Sequence, residues 1–126
     1  MAIIHIDLRS RRPISEQLVE NITHLVLLGL IAPDEQLPSV RALASELGIN
    51  PNTIQKAYGI LEERGIIYSQ AGRGNFASPD VSRVKSNARQ SLLEEIRRSV
   101  LEARRLGASK EEISAVIESV WGEKHD

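Results

Sequence analysis

The side chains best suited to recognising a ligand lie at the start of a predicted helix that follows Gly48. Asn50 is a good N-cap and Pro51 fits the first helical turn, so the helix begins there. Asparagine and glutamine can pair with two edge atoms of adenine, and lysine can reach guanine or a phosphate. The dipole and the free backbone N–H groups of a helix start also attract phosphate. DNA recognition is therefore predicted for the exposed residues near this start, which are Asn52, Thr53, Gln55 and Lys56.

Two shorter stretches carry further candidates for DNA contact. Ser39 and Arg41 begin a short predicted helix whose apolar side chains, turned inward, would leave Arg41 facing a DNA backbone. Arg73 stands between two glycines at the tip of a predicted hairpin, from which an arginine can enter a narrow minor groove. Taken alone, each residue also has an ordinary explanation as a cap, a turn residue or a solvated charge. The DNA-binding prediction depends on the set falling on one face: Ser39, Arg41, Asn50, Asn52, Thr53, Gln55, Lys56, Gly72, Arg73 and Gly74.

The net charge of the chain does not support the prediction of DNA binding. The 126 residues carry 16 basic and 17 acidic side chains, a formal net charge of −1. Residues 1–80 hold seven basic and nine acidic side chains, and residues 81–126 hold nine and eight. Because neither part is basic, binding to phosphate must come from a local cluster rather than from a global field.

The order of the predicted elements is that of a winged helix-turn-helix, in which the third helix enters the major groove and a hairpin forms the wing. Helices are predicted at 14–30, 39–47 and 51–65, and strands at 66–70 and 75–78. The tight turn Gly48-Ile49-Asn50 separates the second helix from the third, with Ile49 as a buried plug between them. Upstream, Ile4, Ile6 and Leu8 alternate with polar residues, which predicts a half-buried strand or an arm over 1–12.

Two further amphipathic helices are predicted at 82–106 and 110–121. Two such helices cannot form a core of their own, so they must pack on the winged domain or on a second copy of the chain. A homodimer is favoured because one small winged helix reads too few base pairs for useful selectivity. The predicted interface comprises Leu92, Leu93, Ile96, Val100, Ile113, Val116, Ile117, Val120 and Trp121.

These patterns predict a mainly α fold with a small β wing. A winged helix-turn-helix DNA-binding domain is expected at 1–78, and a helical dimerisation segment at 79–126. The chain also resembles the GntR family of bacterial transcriptional regulators. The stretches that carry the resemblance, in unbroken order within residues 13–78, are QLPSVRALA (36–44), LGINPNTI (47–54), LEERGII (61–67) and GRGNF (72–76).

Within that family the segment NPNTIQKAY (50–58) and the short C-terminal part are similar to the YtrA-like branch. The resemblance implies a small homodimer of a kind that often represses operons encoding ABC transporters. It also implies that Arg41 contacts the DNA backbone and bases. Many family members have Ser-Arg where this chain has Asn50-Pro51, so a basic base-reading side chain is missing at position 51.

The sequence does not indicate an enzyme or a metal site. The chain has no cysteine to act as a nucleophile, no recognisable His–carboxylate–serine pattern, and a glycine-flanked loop at 72–74 that is too short to cradle phosphates. His5, His24 and His125 are too scattered for a metal site. We predict neither catalysis nor a cofactor.

A winged helix that binds protein and has lost DNA binding is the alternative hypothesis, and the near-neutral charge favours it. Its signature would be acidic or apolar residues in place of Arg41, Lys56 and Arg73, and the sequence contains none of these replacements. An unknown small-molecule effector, held between the C-terminal helices and the winged domain, is compatible with this architecture. The lack of cysteine, of a signal-peptide pattern and of a long apolar run predicts a cytoplasmic protein without membrane contact.

Overall fold

The computed structural model describes residues 4–123, and five helices and two strands lie within them. In chain order the elements are α1 (Ile14–Leu27), α2 (Val40–Leu47), α3 (Pro51–Glu63), β1 (Ile67–Gln70), β2 (Gly74–Ala77), α4 (Ser82–Arg105) and α5 (Lys110–Trp121). Each helix and strand predicted downstream of residue 12 is present, with ends within a few residues of those expected. The predicted mainly helical fold with a small antiparallel sheet is therefore confirmed.

The first compact unit of the chain is built around α3. Both α1 and α2 pack against this helix, and β1 follows it into the same core. Apolar residues three or four positions apart give each helix one buried face, with Leu18 and Ile22 on α1, and Ile54 and Leu61 on α3. These four side chains are completely buried, so removal of apolar surface from water stabilises this unit.

The connection between β2 and α4 belongs to this first unit, which ends at Lys85. Val81 and Val84 are partly buried against its core, so the beginning of α4 is included. The predicted division of the chain after residue 78 lies within this connection. The first unit thus extends beyond the wing into the first turn of α4.

The N-terminal segment is an arm, and residues 4–12 contain no strand. Ile4 is buried, but Leu8 is 66% exposed, so the alternation of apolar residues does not give one buried face. Side chains of α1 supply the hydrogen bonds that a partner strand would offer. Asn21 Oδ1 accepts from the N–H of His5 at 3.1 Å, and Gln17 Oε1 accepts from the N–H of Asp7 at 2.8 Å.

The second compact unit begins at Ser86 and contains α5 and most of α4. Ser109 and Glu112 form a capping box at the start of α5, with hydrogen bonds of 2.9 and 3.0 Å between the side chain of each residue and the backbone of the other. Hydrogen bonding of the Glu112 carboxylate to the backbone N–H of Ser109, and to a lesser extent to the Ser109 side chain, lowers the pKa of this carboxyl. No residue of α4 or α5 is fully buried in the described chain. Among residues 4–123, no helix is both long and apolar enough to cross a bilayer.

Candidate nucleic-acid interface

The turn between α2 and α3 sets the direction of α3. Gly48 ends α2 with a φ of 69°, a left-handed conformation in which side chains other than glycine are strained. The N–H of Ile49 then donates to the carbonyl of Ala44 at 3.0 Å. Ile49 is partly buried against the core, so it lies where the plug was predicted but is not fully enclosed.

Two backbone N–H groups in the first turn of α3 are bonded to the capping residue Asn50. Asn50 Oδ1 accepts from the N–H of Asn52 at 2.8 Å, and the Asn50 carbonyl accepts from the N–H of Thr53 at 3.0 Å. Pro51 has no N–H to offer. The expectation that free N–H groups here attract phosphate is therefore wrong for these positions, because capping has occupied or removed the donors. The helix dipole remains as a source of attraction for anions.

The side chains of α3 divide into a buried face and an exposed one. Ile54, Ala57, Tyr58 and Leu61 are buried, as their spacing predicts. Asn52, Gln55 and Lys56 are exposed and Thr53 is partly buried. Within residues 4–123, the side chains of Asn52, Gln55 and Lys56 make no hydrogen bond or ion pair. Three polar side chains near the start of α3 are thus available to a ligand.

The start of α2 presents one arginine and one capping serine. Ser39 Oγ accepts from the N–H of Ala42 at 3.0 Å, which uses an acceptor of that hydroxyl and leaves its proton to donate. Leu43 and Ala44 are buried, and Arg41 on the other side of the helix is exposed. In the described part of the chain, the Arg41 guanidinium forms no ion pair.

The wing is a tight antiparallel hairpin. β1 and β2 pair in register from Ile67 opposite Ala77 to Gln70 opposite Gly74, and Ala71, Gly72 and Arg73 form the tip. The N–H of Arg73 donates to the carbonyl of Gln70 at 3.0 Å, and the Arg73 side chain is exposed. Below the tip, the stacked rings of Tyr68 and Phe76 lie 5.5 Å apart across the strands and stiffen the hairpin.

The other edge of β2 is covered by residues 34–38, which we call the linker segment. Backbone hydrogen bonds join it to Asn75 and Ala77 of β2. The N–H of Asp34 donates to the Ala77 carbonyl at 2.9 Å, and the N–H of Ala77 donates to the Glu35 carbonyl at 2.8 Å. The N–H of Leu37 donates to the Asn75 carbonyl at 2.8 Å. The linker segment therefore holds the wing as a short additional strand would.

Side-chain hydrogen bonds tie the linker segment to three further parts of the unit. Gln36 Nε2 donates to the Arg73 carbonyl at the wing tip, and the Tyr68 hydroxyl on β1 donates to Asp34 Oδ1. The Tyr58 hydroxyl on α3 donates to the Pro38 carbonyl. All three distances are 2.7 Å. Burial raises the pKa of the Tyr58 hydroxyl, and the hydrogen bond to Asp34 raises the pKa of Tyr68.

We predicted no structural element between the helix expected to end at residue 30 and the helix expected to begin at residue 39, so the linker segment was missed. One signal was available. Tyr58 lies on an otherwise aliphatic buried face, and a buried tyrosine hydroxyl needs a hydrogen-bond partner. The identity of that partner, the Pro38 carbonyl, follows only from the fold.

In the second unit, all but one of the predicted dimer residues line a single apolar groove of about 610 Å³. Val100 and Ile113 are half-buried, whereas Ile96 is 53% and Trp121 80% exposed. Leu93 is exposed on α4 but does not line the groove. The other predicted residues all line it: Leu92, Ile96, Val100, Ile113, Val116, Ile117, Val120 and Trp121.

Metal-binding geometry is not found in the part of the chain that the structure describes. No three histidine, cysteine or carboxylate side chains converge there in a way that could hold an ion. His5 lies in the N-terminal arm and His24 on α1, while His125 lies outside the described residues.

Comparison with known proteins identifies the family. The sequence profile of the bacterial regulatory proteins of the gntR family matches residues 14–76, half of the chain. The HTH-type transcriptional repressor YtrA of Bacillus subtilis is 34% identical over 130 residues, which cover 98% of this chain and 100% of that protein. The predicted resemblance to the family and to its YtrA-like branch is confirmed.

Solved structures agree with this assignment. The crystal structure of a transcriptional regulator from Oenococcus oeni has a TM-score of 0.78 and 32% identity, covering 93% of this chain and 98% of that one. The DNA-binding domain of AraR, solved in complex with operator ORE1, covers 62% of this chain and 95% of its own, at 29% identity and a TM-score of 0.51. The chain belongs to the GntR family and is a DNA-binding transcriptional regulator with a winged helix-turn-helix, not an enzyme.

Proposed function

We propose that the chain is a cytoplasmic homodimeric repressor that binds a palindromic operator before an operon encoding an ABC transporter. The observation that carries the DNA contact is the exposed polar start of α3, capped from within and joined in one compact unit to an exposed arginine at the wing tip. The DNA-binding set predicted from the sequence, from Ser39 to Gly74, is the surface proposed to meet the operator.

In this proposal the major groove is read by side chains rather than by the backbone of α3. Asn52 and Gln55 offer the paired donor and acceptor that match adenine, and Lys56 offers donors to guanine or phosphate. The Thr53 hydroxyl and the amide nitrogen of Asn50 can each add one further donor. Proline at position 51 leaves no basic side chain there, so adenine-containing half-sites are favoured over guanine-rich ones.

The arginines fix the protein on the duplex. Arg41 and the hydroxyl proton of Ser39 would contact phosphates, which sets the register of α3 in the groove. Arg73 would enter the adjoining minor groove, and Gly72 and Gly74 let the wing backbone approach it closely. In this proposal Arg41, Lys56 and Arg73 would supply the local positive charge by which a chain of net charge −1 binds DNA.

Dimerisation is supported by the groove of the second unit. Most of its apolar side chains are exposed in the single chain, and a continuous apolar surface of this kind is typical of a protein interface. A two-fold axis would place two copies of α3 about 34–36 Å apart, one turn of B-DNA. Such symmetry requires a palindromic operator. The repressor role is supported by the similarity to YtrA of Bacillus subtilis, which is named a repressor.

The test measures binding to the upstream region of the gene by fluorescence anisotropy over a range of salt concentrations. Arg41→Ala and Arg73→Ala are each expected to weaken binding on the order of tenfold, and to lower the salt slope by about one ion. The matched control is Arg64→Ala, because Arg64 is exposed at the opposite end of α3. Parent-like affinity and salt slope for both arginine variants would refute the proposed surface.

A further inference from the structure

Gln36 lies outside the proposed DNA-binding surface, yet its side chain reaches the wing tip. Its Nε2 donates to the Arg73 carbonyl at 2.7 Å, across 37 positions of sequence. Its backbone forms an isolated antiparallel bridge with Phe76, and the N–H of the following Leu37 is bonded to β2. Both the main chain and the side chain of Gln36 are therefore fixed against the hairpin.

Gly74 supplies the space that the Gln36 amide occupies. A Cβ at position 74 would lie 2.8 Å from Gln36 Nε2, closer than real Cβ contacts come. Gly74 also has a φ of 119°, which other residues rarely adopt. Gly72 differs, because nothing lies within 4 Å of the place where its Cβ would be. A side chain at position 74 would therefore displace the end of the Gln36 side chain, in addition to straining its own backbone.

The linker segment is anchored at its other end to α3. The Tyr58 hydroxyl donates to the Pro38 carbonyl, two residues along from Gln36. Tyr58 is only 2% exposed and sits two positions after Lys56, so this anchor is rigid. Helix α3 is therefore linked to the wing tip through the linker segment. The bond from Tyr58 to the Pro38 carbonyl holds one end of that segment, and the bond from Gln36 to the Arg73 carbonyl joins its middle to the wing tip.

We propose that Gln36 is a positioning residue for DNA recognition, which holds the wing tip so that Arg73 enters the minor groove in register with α3. This inference rests on the proposed function, because the position of Arg73 matters only if Arg73 contacts DNA. Gln36 acts through Arg73 and not through a DNA contact of its own. Arg73 is flanked by two glycines, whose backbone has wide conformational freedom, and fixing the wing tip beforehand removes part of the ordering cost of binding.

The test is a double-mutant cycle of Gln36→Met and Arg73→Ala, read as the Kd for the upstream DNA. Methionine keeps the length of the side chain but cannot donate the hydrogen bond. Gln36→Met is expected to raise the Kd by about threefold to tenfold, the worth of one neutral hydrogen bond. In the Arg73→Ala background the same change is expected to alter the Kd by less than about twofold, because the group that Gln36 positions is gone.

Two further measurements separate positioning from general damage. Hydrogen exchange at the Arg73 N–H is expected to be faster in Gln36→Met than in the parent, while the urea unfolding midpoint stays close to that of the parent. Gln36→Asn, which keeps the amide but shortens its reach, is expected to behave like Gln36→Met. The matched control is Gln90→Met, since Gln90 is exposed on α4 and its side chain makes no hydrogen bond within the described residues.

The outcomes distinguish the inference from the function on which it rests. If Arg73→Ala weakens binding but Gln36→Met does not, the positioning role is refuted and the wing contact stands. Equal losses from Gln36→Met with and without Arg73 also refute it, because they indicate an independent contribution. If Arg73→Ala itself binds like the parent, the proposed wing contact fails and the positioning role fails with it.

Discussion

The two compact units of this chain differ in how far their apolar residues are buried. In the first unit, Leu61 is completely buried, together with its neighbours on α1 and α3. In the second, the stripe along α4 and α5 remains open, with Trp121 80% exposed. Both stripes have the same helical spacing, so periodicity predicts an apolar face without saying what covers it. The first unit is stabilised by its own packing, whereas the second displays an open apolar surface, which the proposed homodimer would cover.

The largest effect is expected from a cavity in the first unit. Leu61→Ala should lower the free energy of unfolding by about 2–5 kcal/mol. Leu61 is completely buried, and the residues around it cannot move far enough to fill the cavity that alanine would leave. Urea denaturation measures the change. The matched control is Leu106→Ala, because Leu106 is 83% exposed and does not line the groove. Equal losses for the two variants would contradict the contrast between the units.

A charge in the apolar groove should separate the copies and leave the first unit folded. Ile96→Glu is expected to weaken self-association by about thirtyfold or more, as for a central interface residue, because the carboxylate would be buried without a partner. Sedimentation equilibrium gives the dissociation constant. Leu106→Glu adds the same charge outside the groove and should associate like the parent. A parent chain that stays monomeric at every concentration would rule out the proposed homodimer.

A smaller effect is expected from the hydroxyl inside the first unit. Tyr58→Phe leaves the Pro38 carbonyl without its partner and should cost about 1 kcal/mol of unfolding free energy. Tyr68→Phe is the control, since Tyr68 is only partly buried. A loss after Tyr68→Phe larger than after Tyr58→Phe would show that the inner hydrogen bond is the weaker of the two.

The same hydroxyl predicts a dependence of stability on alkaline pH. The pKa of Tyr58 is raised in the folded chain, so the unfolded chain loses this proton first as the pH rises. Stability is complete below the ordinary tyrosine pKa of about 10 and declines above it. The decline should be steeper in the parent than in Tyr58→Phe. Unfolding curves between neutral pH and the alkaline range measure the difference, and parallel curves would contradict the assigned cause.

The features that could be predicted from the sequence are those determined by interactions between residues close together in the chain. Gly48, the Asn50 cap and the apolar spacing of α3 each act within a few residues, and together they specify the helix-turn-helix. The bond from Gln36 to the Arg73 carbonyl joins positions far apart in the chain, and it corresponds to no periodic pattern in the sequence. It could therefore not be predicted. The N-terminal alternation was compatible with a strand or an arm, and hydrogen bonds from α1 side chains decided between them.

The self-capped start of α3 has a consequence for how this regulator can change over evolutionary time. Asn50 and Pro51 fix the backbone at the start of α3. The exposed side chains of Asn52 and Gln55 are therefore not needed to form the helix. Their exchange for other polar residues is therefore expected to alter which operator is preferred at little cost in stability. A gene duplicate could acquire a new set of target genes through two substitutions, while the scaffold that presents them stays unchanged.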